Sequence, residues 1–166
     1  MISIDKFVDN KLIPFVFILS KNPILFHDLL DANRQLRDNL SPSGATLGYK
    51  IHTKNMFIAF LAIVHIVFIF PSLVLLHGIF SNMDCHLSII SAIVFTGLFF
   101  VSFSIFKEYL IEQISTKRVK EGWNLHFPLF DYEQYNKKVA DIYNDAIKKK
   151  VPRGELEYFV MNGLSK

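Results

Sequence analysis

Cysteine is nearly missing from this chain. Cys85 is the only one among 166 residues, and a bridge needs two, so no disulfide scaffold holds the fold. A large excess of one charge is missing too. Eighteen Lys and Arg stand against fifteen Asp and Glu, a net charge of +3. That is too small for the basic footprint of a strongly charged nucleic-acid binder. The low-hydrophobicity signature of disorder is absent as well, because 51% of the residues are apolar. There is no Walker loop, no dinucleotide glycine fingerprint and no nucleophile elbow. The most informative gaps are local. Met56–Leu76 (MFIAFLAIVHIVFIFPSLVLL) runs for 21 residues, and Leu87–Phe106 (LSIISAIVFTGLFFVSFSIF) for 20, without one Lys, Arg, Asp or Glu.

About 20 apolar residues at ~1.5 Å rise cover the ~30 Å hydrocarbon core of a bilayer. Inside hydrocarbon each backbone N–H and C=O needs an internal partner, which a helix supplies and a lone strand does not. The sequence therefore predicts an all-α membrane protein with two transmembrane helices, residues 56–76 and 87–106. Residues 77–86 (HGIFSNMDCH) make a short loop with Gly78, Asn82 and Asp84 as turn formers, so the two spans are expected to form an antiparallel hairpin. The N-terminal residues do not resemble a signal peptide, because the first apolar run starts at Leu12 and Lys21 comes after it without a cleavage pattern.

Lys and Arg in short flanks orient such a hairpin. Residues 1–55 carry seven, the loop none, and residues 107–166 eleven. Both termini are expected in the cytoplasm and the loop outside, in a multi-pass protein of the plasma membrane. High Phe, Ile, Asn and Lys usage fits an AT-rich bacterial genome, which makes that the inner membrane.

The two cytoplasmic arms read as helical. Between Asn22 and Asn39, Leu25, Phe26, Leu29, Leu30, Leu36 and Leu40 recur on one side and Asp31, Arg34 and Asp38 on the other. Asn22 suits a cap and Pro23 a first turn. Such a helix lies on the inner leaflet, docks on a partner, or packs on the protein's own C-terminal part; the last is the closer fit. Lys107–Lys120 continues the second span past the membrane, with Gly122 as the first natural stop and Trp123 as a small-core anchor. Asp131–Lys150 begins with a capping Asp131. Its Tyr132, Tyr135, Val139, Ile142 and Ala146 step by three and four, two heptads of an apolar stripe. Glu155–Met161 forms a last short helix that Gly163 could terminate.

Polar groups inside the spans include His65 and Ser72 on the first and Ser91, Thr96, Ser102 and Ser104 on the second. They line a polar seam or, as the simpler expectation, are satisfied on their own helices. Ser88, Ala92 and Thr96 step by four, which puts small residues on one face and permits close helix approach. Pro71 removes a backbone donor near the end of the first span. His77, Asp84, Cys85 and His86 in the loop are metal-competent, but their spacing matches no ligand pattern, and no metal or other cofactor is expected. His27 with Asp28 and Asp31, or His126 with Asp131 and Glu133, resemble acid–base pairs, yet no nucleophile accompanies either.

The expected function is a non-catalytic membrane subunit, adaptor or assembly factor of a larger inner-membrane complex. Its partners are the lipid bilayer and other subunits or further copies of itself; no nucleic acid or small-molecule substrate is evident. The interface candidates are Tyr132, Tyr135, Val139 and Ile142, with Leu29 and Leu36 on the N-terminal arm. The alternative is a homo-oligomeric pore or membrane-perturbing effector built around His65 and Pro71.

Overall fold

A computed structural model of the chain describes residues 4–72 and 85–165. It is 76% helical. Two of its helices, Thr53–Ser72 and Ile89–His126, are long and apolar enough to cross a membrane. Among the described residues the α-helices are, in chain order, α1 (Ile4–Phe7), α2 (Ile13–Val16), α3 (Phe26–Arg37), α4 (Thr53–Val64), α5 (Cys85–His126), α6 (Tyr132–Lys148) and α7 (Leu156–Leu164). Two three-residue strands, β1 (Phe17–Leu19) and β2 (Tyr49–Ile51), pair with each other, a small departure from the expected all-α chain. Residues 73–84, which hold most of the expected loop, lie outside the described residues. The expected roles of His77 and Asp84 lie there with them, and the side chains of Cys85 and His86 are likewise outside.

The chain divides into two compact units. One comprises Met1–Phe17 with Ile51–Leu110, the other Ile18–Lys50 with Ile111–Lys166. The 42-residue α5 contributes to both.

Proline shapes the helices of the first unit. A π turn, Val8–Leu12, joins α1 to α2 just ahead of Pro14, and another, His65–Ile69, extends α4 just ahead of Pro71. A proline ring collides with the carbonyl four residues back, here those of Asn10 and Val67. In both places the residue before the proline bonds five residues back instead, Ile13 N–H to the Val8 carbonyl and Phe70 N–H to that of His65. The wider turn makes room for the ring and keeps the helix going. Val8, Ile13 and Val16 are buried, as are Met56, Ala59, Phe60 and Val64 on one face of α4 and Leu110 on α5. The Phe60 ring meets Phe99, Phe103 and Phe106 of α5 at centroid distances of 5.1, 5.2 and 5.5 Å, and Phe57 meets Phe103 at 5.7 Å. Tilted and edge-to-face pairs of this kind add roughly 0.5–1.5 kcal/mol each beyond burial. They pack α4 against α5.

The second unit is a conventional helical core. Leu29, Leu30, Ile114, Val119, Trp123, Phe127, Val139 and Val160 are all buried. Trp123 is 1% exposed and its indole N–H donates to the Phe130 carbonyl at 2.7 Å, so it anchors the core as expected. Asp131 caps α6 by accepting from the Gln134 N–H.

Four local expectations are corrected. First, α3 begins at Phe26 with Leu25 as its cap residue and no side-chain cap, because Asn22–Leu25 is held by α5 instead. The Ile24 carbonyl meets His126 Nε2 at 2.8 Å, and the Asn22 carbonyl accepts from Arg118 at 3.5 Å. Second, α5 runs through Gly122 to His126. Pro128 ends it by disfavouring helical backbone at Phe127. Third, Gly122 is a contact point rather than a stop: a Cβ there would sit 3.2 Å from Leu29 Cδ1 and 3.3 Å from Ile24 Cδ1. Fourth, α7 runs through Gly163 to Leu164, and a Cβ on Gly163 would meet Ile142 Cδ1 at 3.0 Å.

Candidate functional site

In the first unit the dominant feature is an apolar surface that the described residues leave uncovered. No residue in the most apolar stretch of α5 is buried, and only 22% of that of α4. A long apolar helix in the core of a soluble protein has most of its residues covered. Here Ile93 is 68% exposed and Phe100 64%, and Ile66, Phe68, Phe70, Ile90, Leu98 and Ile105 are exposed too. Soluble monomers rarely expose contiguous apolar patches beyond a few hundred Å².

The polar residues of these helices are turned back on the backbone. His65 Nδ1 donates to the Leu61 carbonyl at 2.7 Å, and Thr96 Oγ1 donates to the Ala92 carbonyl at 2.7 Å. A carbonyl only accepts, so the His65 ring carries a proton on Nδ1. Bonding four residues back lets an intramembrane helix carry such groups at little cost. Ser91 is half-buried on α5.

In the second unit the expected interface residues divide. Leu29 and Val139 are fully buried in the chain's own core, which takes them out of any free docking surface. The reason is that α3 and α6 turn their apolar stripes toward each other, and α6 also packs on α7. The positions α6 buries are Val139, Ala140, Tyr143 and Ala146, a broader face than the heptad stripe. Leu36, Tyr132, Tyr135 and Ile142 are half-buried. The Tyr132 ring stands edge-on to Trp123 at 5.2 Å with Lys120 Nζ 5.3 Å from its centroid, and Tyr135 meets Phe130 at 5.1 Å. Asn33 Nδ2 donates to the Asn136 carbonyl at 2.9 Å, and Arg37 pairs with Asp141. Thus the N-terminal arm is fastened to the C-terminal tail.

The two histidine–carboxylate pairs take different roles. His126 bonds the Ile24 carbonyl, as above, and is structural. His27 Nδ1 lies 3.4 Å from Asp28 Oδ1, and its Nε2 lies 3.4 Å from the Tyr143 hydroxyl. No local pattern marks Tyr143 as a neighbour of His27, because the two are 116 residues apart in the chain. Burial pushes the Tyr143 phenol above its ordinary value, the Asp31 carboxylate adds to that, and Arg34 and Arg153 act against it. At neutral pH it is a protonated hydrogen-bond donor, not a nucleophile. Both contacts are also long for hydrogen bonds.

The buried place of Arg118 is a second feature that sequence reasoning misses. The residue is buried, its Nε donates to the Leu47 carbonyl at 2.9 Å, and its guanidinium pairs with Glu121 at 2.7 Å. The signal is in the spacing: Leu110, Ile114 and Arg118 step by four along one face. A shallow open groove of about 540 Å³ lies where α5 gives way to α6, lined by Lys120, Asn124, Leu129, Phe130 and Glu133 among others. Among the described residues no three His, Cys, Asp or Glu side chains converge as a metal site would require. Comparison with protein-family models, with curated proteins and with solved structures finds no match for the chain.

Proposed function

We propose that the chain is a non-catalytic integral membrane subunit, an adaptor or assembly factor of a larger complex in the bacterial inner membrane. In this reading Thr53–Ser72 and the apolar part of α5 form a hairpin across the bilayer, and both termini are cytoplasmic. The unit built from Ile18–Lys50 and Ile111–Lys166 supplies the surface that binds a partner subunit. The observation that carries the reading is the uncovered apolar stretch of α5. Lipid covers such a surface at no cost, whereas water penalises it by about 25 cal/mol per Å². The division of Lys and Arg as seven, none and eleven over the two arms and the loop supports the orientation.

With Leu29 and Val139 committed to the core, the partner surface is sought among the large hydrophobic residues the second unit leaves open, of which Leu129 and Tyr158 are the most exposed, at 90% and 77%. Large side chains held in the open are where interface anchors are found. The test is crosslinked co-purification from membranes with the double variant Leu129→Glu, Tyr158→Glu. The partner subunit captured by the native chain should be lost while the variant still sediments with membranes. Unchanged capture would refute this surface. Recovery of the chain's own copies alone, with ion conductance in liposomes, would replace the reading with a homo-oligomeric pore. The inward bonding of His65 and Thr96 weighs against a polar lumen.

A further inference from the structure

The helical run of residues 4–16, formed by α1, the π turn and α2, has no place in a simple two-span hairpin. Its apolar residues are too few to span: 13 residues at ~1.5 Å reach only ~20 Å of a ~30 Å core. Yet it is packed onto α4 within the first unit. Val8, Ile13 and Val16 are buried. Its end is fastened to the start of α4 by two bonds. Asn55 Nδ2 donates to the Phe15 carbonyl at 2.7 Å, and the His52 N–H donates to the Val16 carbonyl at 2.8 Å.

The other side of the run is mixed in a particular way. Phe7 is 46% exposed and Phe15 44%, and Lys6 and Lys11 are exposed beside them. Phe7, Lys11 and Phe15 step by four, which places them on one side of a helix. Aromatic rings that enter the acyl boundary, with lysines whose stems run along it and whose ammonium groups reach the headgroups, are the pattern of an interfacial helix. This surface is also continuous with that of α4. Phe57 and Ile58, both exposed, come two and three residues after the Asn55 that holds Phe15.

We infer that residues 4–16 are a third membrane-embedded element, seated in one leaflet beside the Thr53 end of α4 with Phe7 and Phe15 among the acyl chains. The inference rests on the proposed membrane reading. Its occupant is lipid: the face abuts the exposed apolar residues of α4, and Lys6 and Lys11, exposed like the neighbouring Asp9, have stems long enough to carry their ammonium groups to headgroup phosphates. The run then pins the cytoplasmic end of the hairpin at a fixed depth.

The test uses the full chain with Cys85→Ser, reconstituted in vesicles of phosphatidylcholine and phosphatidylglycerol. A nitroxide is placed in turn at Phe15→Cys, Phe7→Cys, Phe100→Cys and Tyr158→Cys. Collision with oxygen and with a water-soluble nickel chelate reports depth. The labels at 7 and 15 should be oxygen-accessible and nickel-protected like that at 100, but shallower, with the label at 158 aqueous. An aqueous signal at 15 beside a lipidic signal at 100 would overturn the inference and leave the membrane reading standing. An aqueous signal at 100 as well would overturn both. Photocrosslinking from p-benzoylphenylalanine at position 15 keeps an aromatic side chain there and serves if a labelled variant misfolds. Lipid adducts at 15 support the inference, and adducts at 100 without any at 15 reject it.

Discussion

Arg118 stands where an aliphatic residue would continue the Leu110–Ile114 stripe, and it is kept there by acceptors rather than by apolar contacts. The Leu47 carbonyl, the Asn22 carbonyl and Glu121 share its five donors. Composition alone counts such a residue as one charge among eighteen; only the register on the helix face marks it as inward. Tyr49 is a second case. It is buried and its hydroxyl lies 3.0 Å from that of Ser115. Burial raises the phenols of Tyr49, Tyr132 and Tyr143 above the ordinary value of 10.0; the Ser115 bond partly offsets this at Tyr49, and Glu133 adds to it at Tyr132. The folded chain therefore holds these protons longer than the unfolded chain does. The stabilisation is complete below pH 10 and is lost as pH rises through the raised values. Urea unfolding of the detergent-solubilised protein, monitored by Trp123 fluorescence, should show a midpoint that falls above pH 10. Tyr143→Phe should flatten that descent. A midpoint indifferent to pH from 9 to 11.5 would contradict the assignment.

At the level of elements, the long periodic segments are legible in the sequence and their ends are not. The cap at Asp131 and the core position of Trp123 can be read from the sequence because each depends on a few adjacent residues. The start of α3 cannot, because tertiary bonds from Arg118 and His126 hold Asn22–Leu25 outside the helix against a good local capping signal. Gly122 and Gly163 mislead for a related reason. Glycine ends helices through backbone freedom, but it also lets another element come close, and only the partner's position tells which. At Gly122 the partners are Leu29 and Ile24. Gly122→Leu should therefore destabilise the second unit by roughly 1–3 kcal/mol through overpacking. Gly122→Ala gains helix propensity against a slight clash and should stay within about 1 kcal/mol of the native chain. Equal stability of the leucine and alanine variants in urea would show that the glycine is not a contact point. The stripe on α6 is legible as a pattern but not as a surface. The same spacing serves a partner's groove or the chain's own α3, and it is α3 that fills it.

For the whole molecule, the chain's 51% apolar content separates into two physical roles. In the second unit it closes a core around Trp123. In the first it faces outward, on a helix whose apolar stretch has no buried residue. The spans are readable because 20 uncharged residues are a signal that needs no knowledge of tertiary structure. The run of residues 4–16 is not, because Leu12–Leu19 is too short to stand out and its seat on α4 depends on Asn55 and His52. The membrane reading and its orientation are tested together by the access of a bulky membrane-impermeant maleimide to spheroplasts. The native chain carries its one thiol at Cys85, at the end of the expected outer loop, and a Cys85→Ser, Ser165→Cys variant moves it to the C-terminal arm. The account predicts that the thiol at 85 is labelled in intact spheroplasts, and that the thiol at 165 is labelled only after permeabilisation. Labelling at 165 in intact spheroplasts, with 85 protected until they are opened, would contradict it.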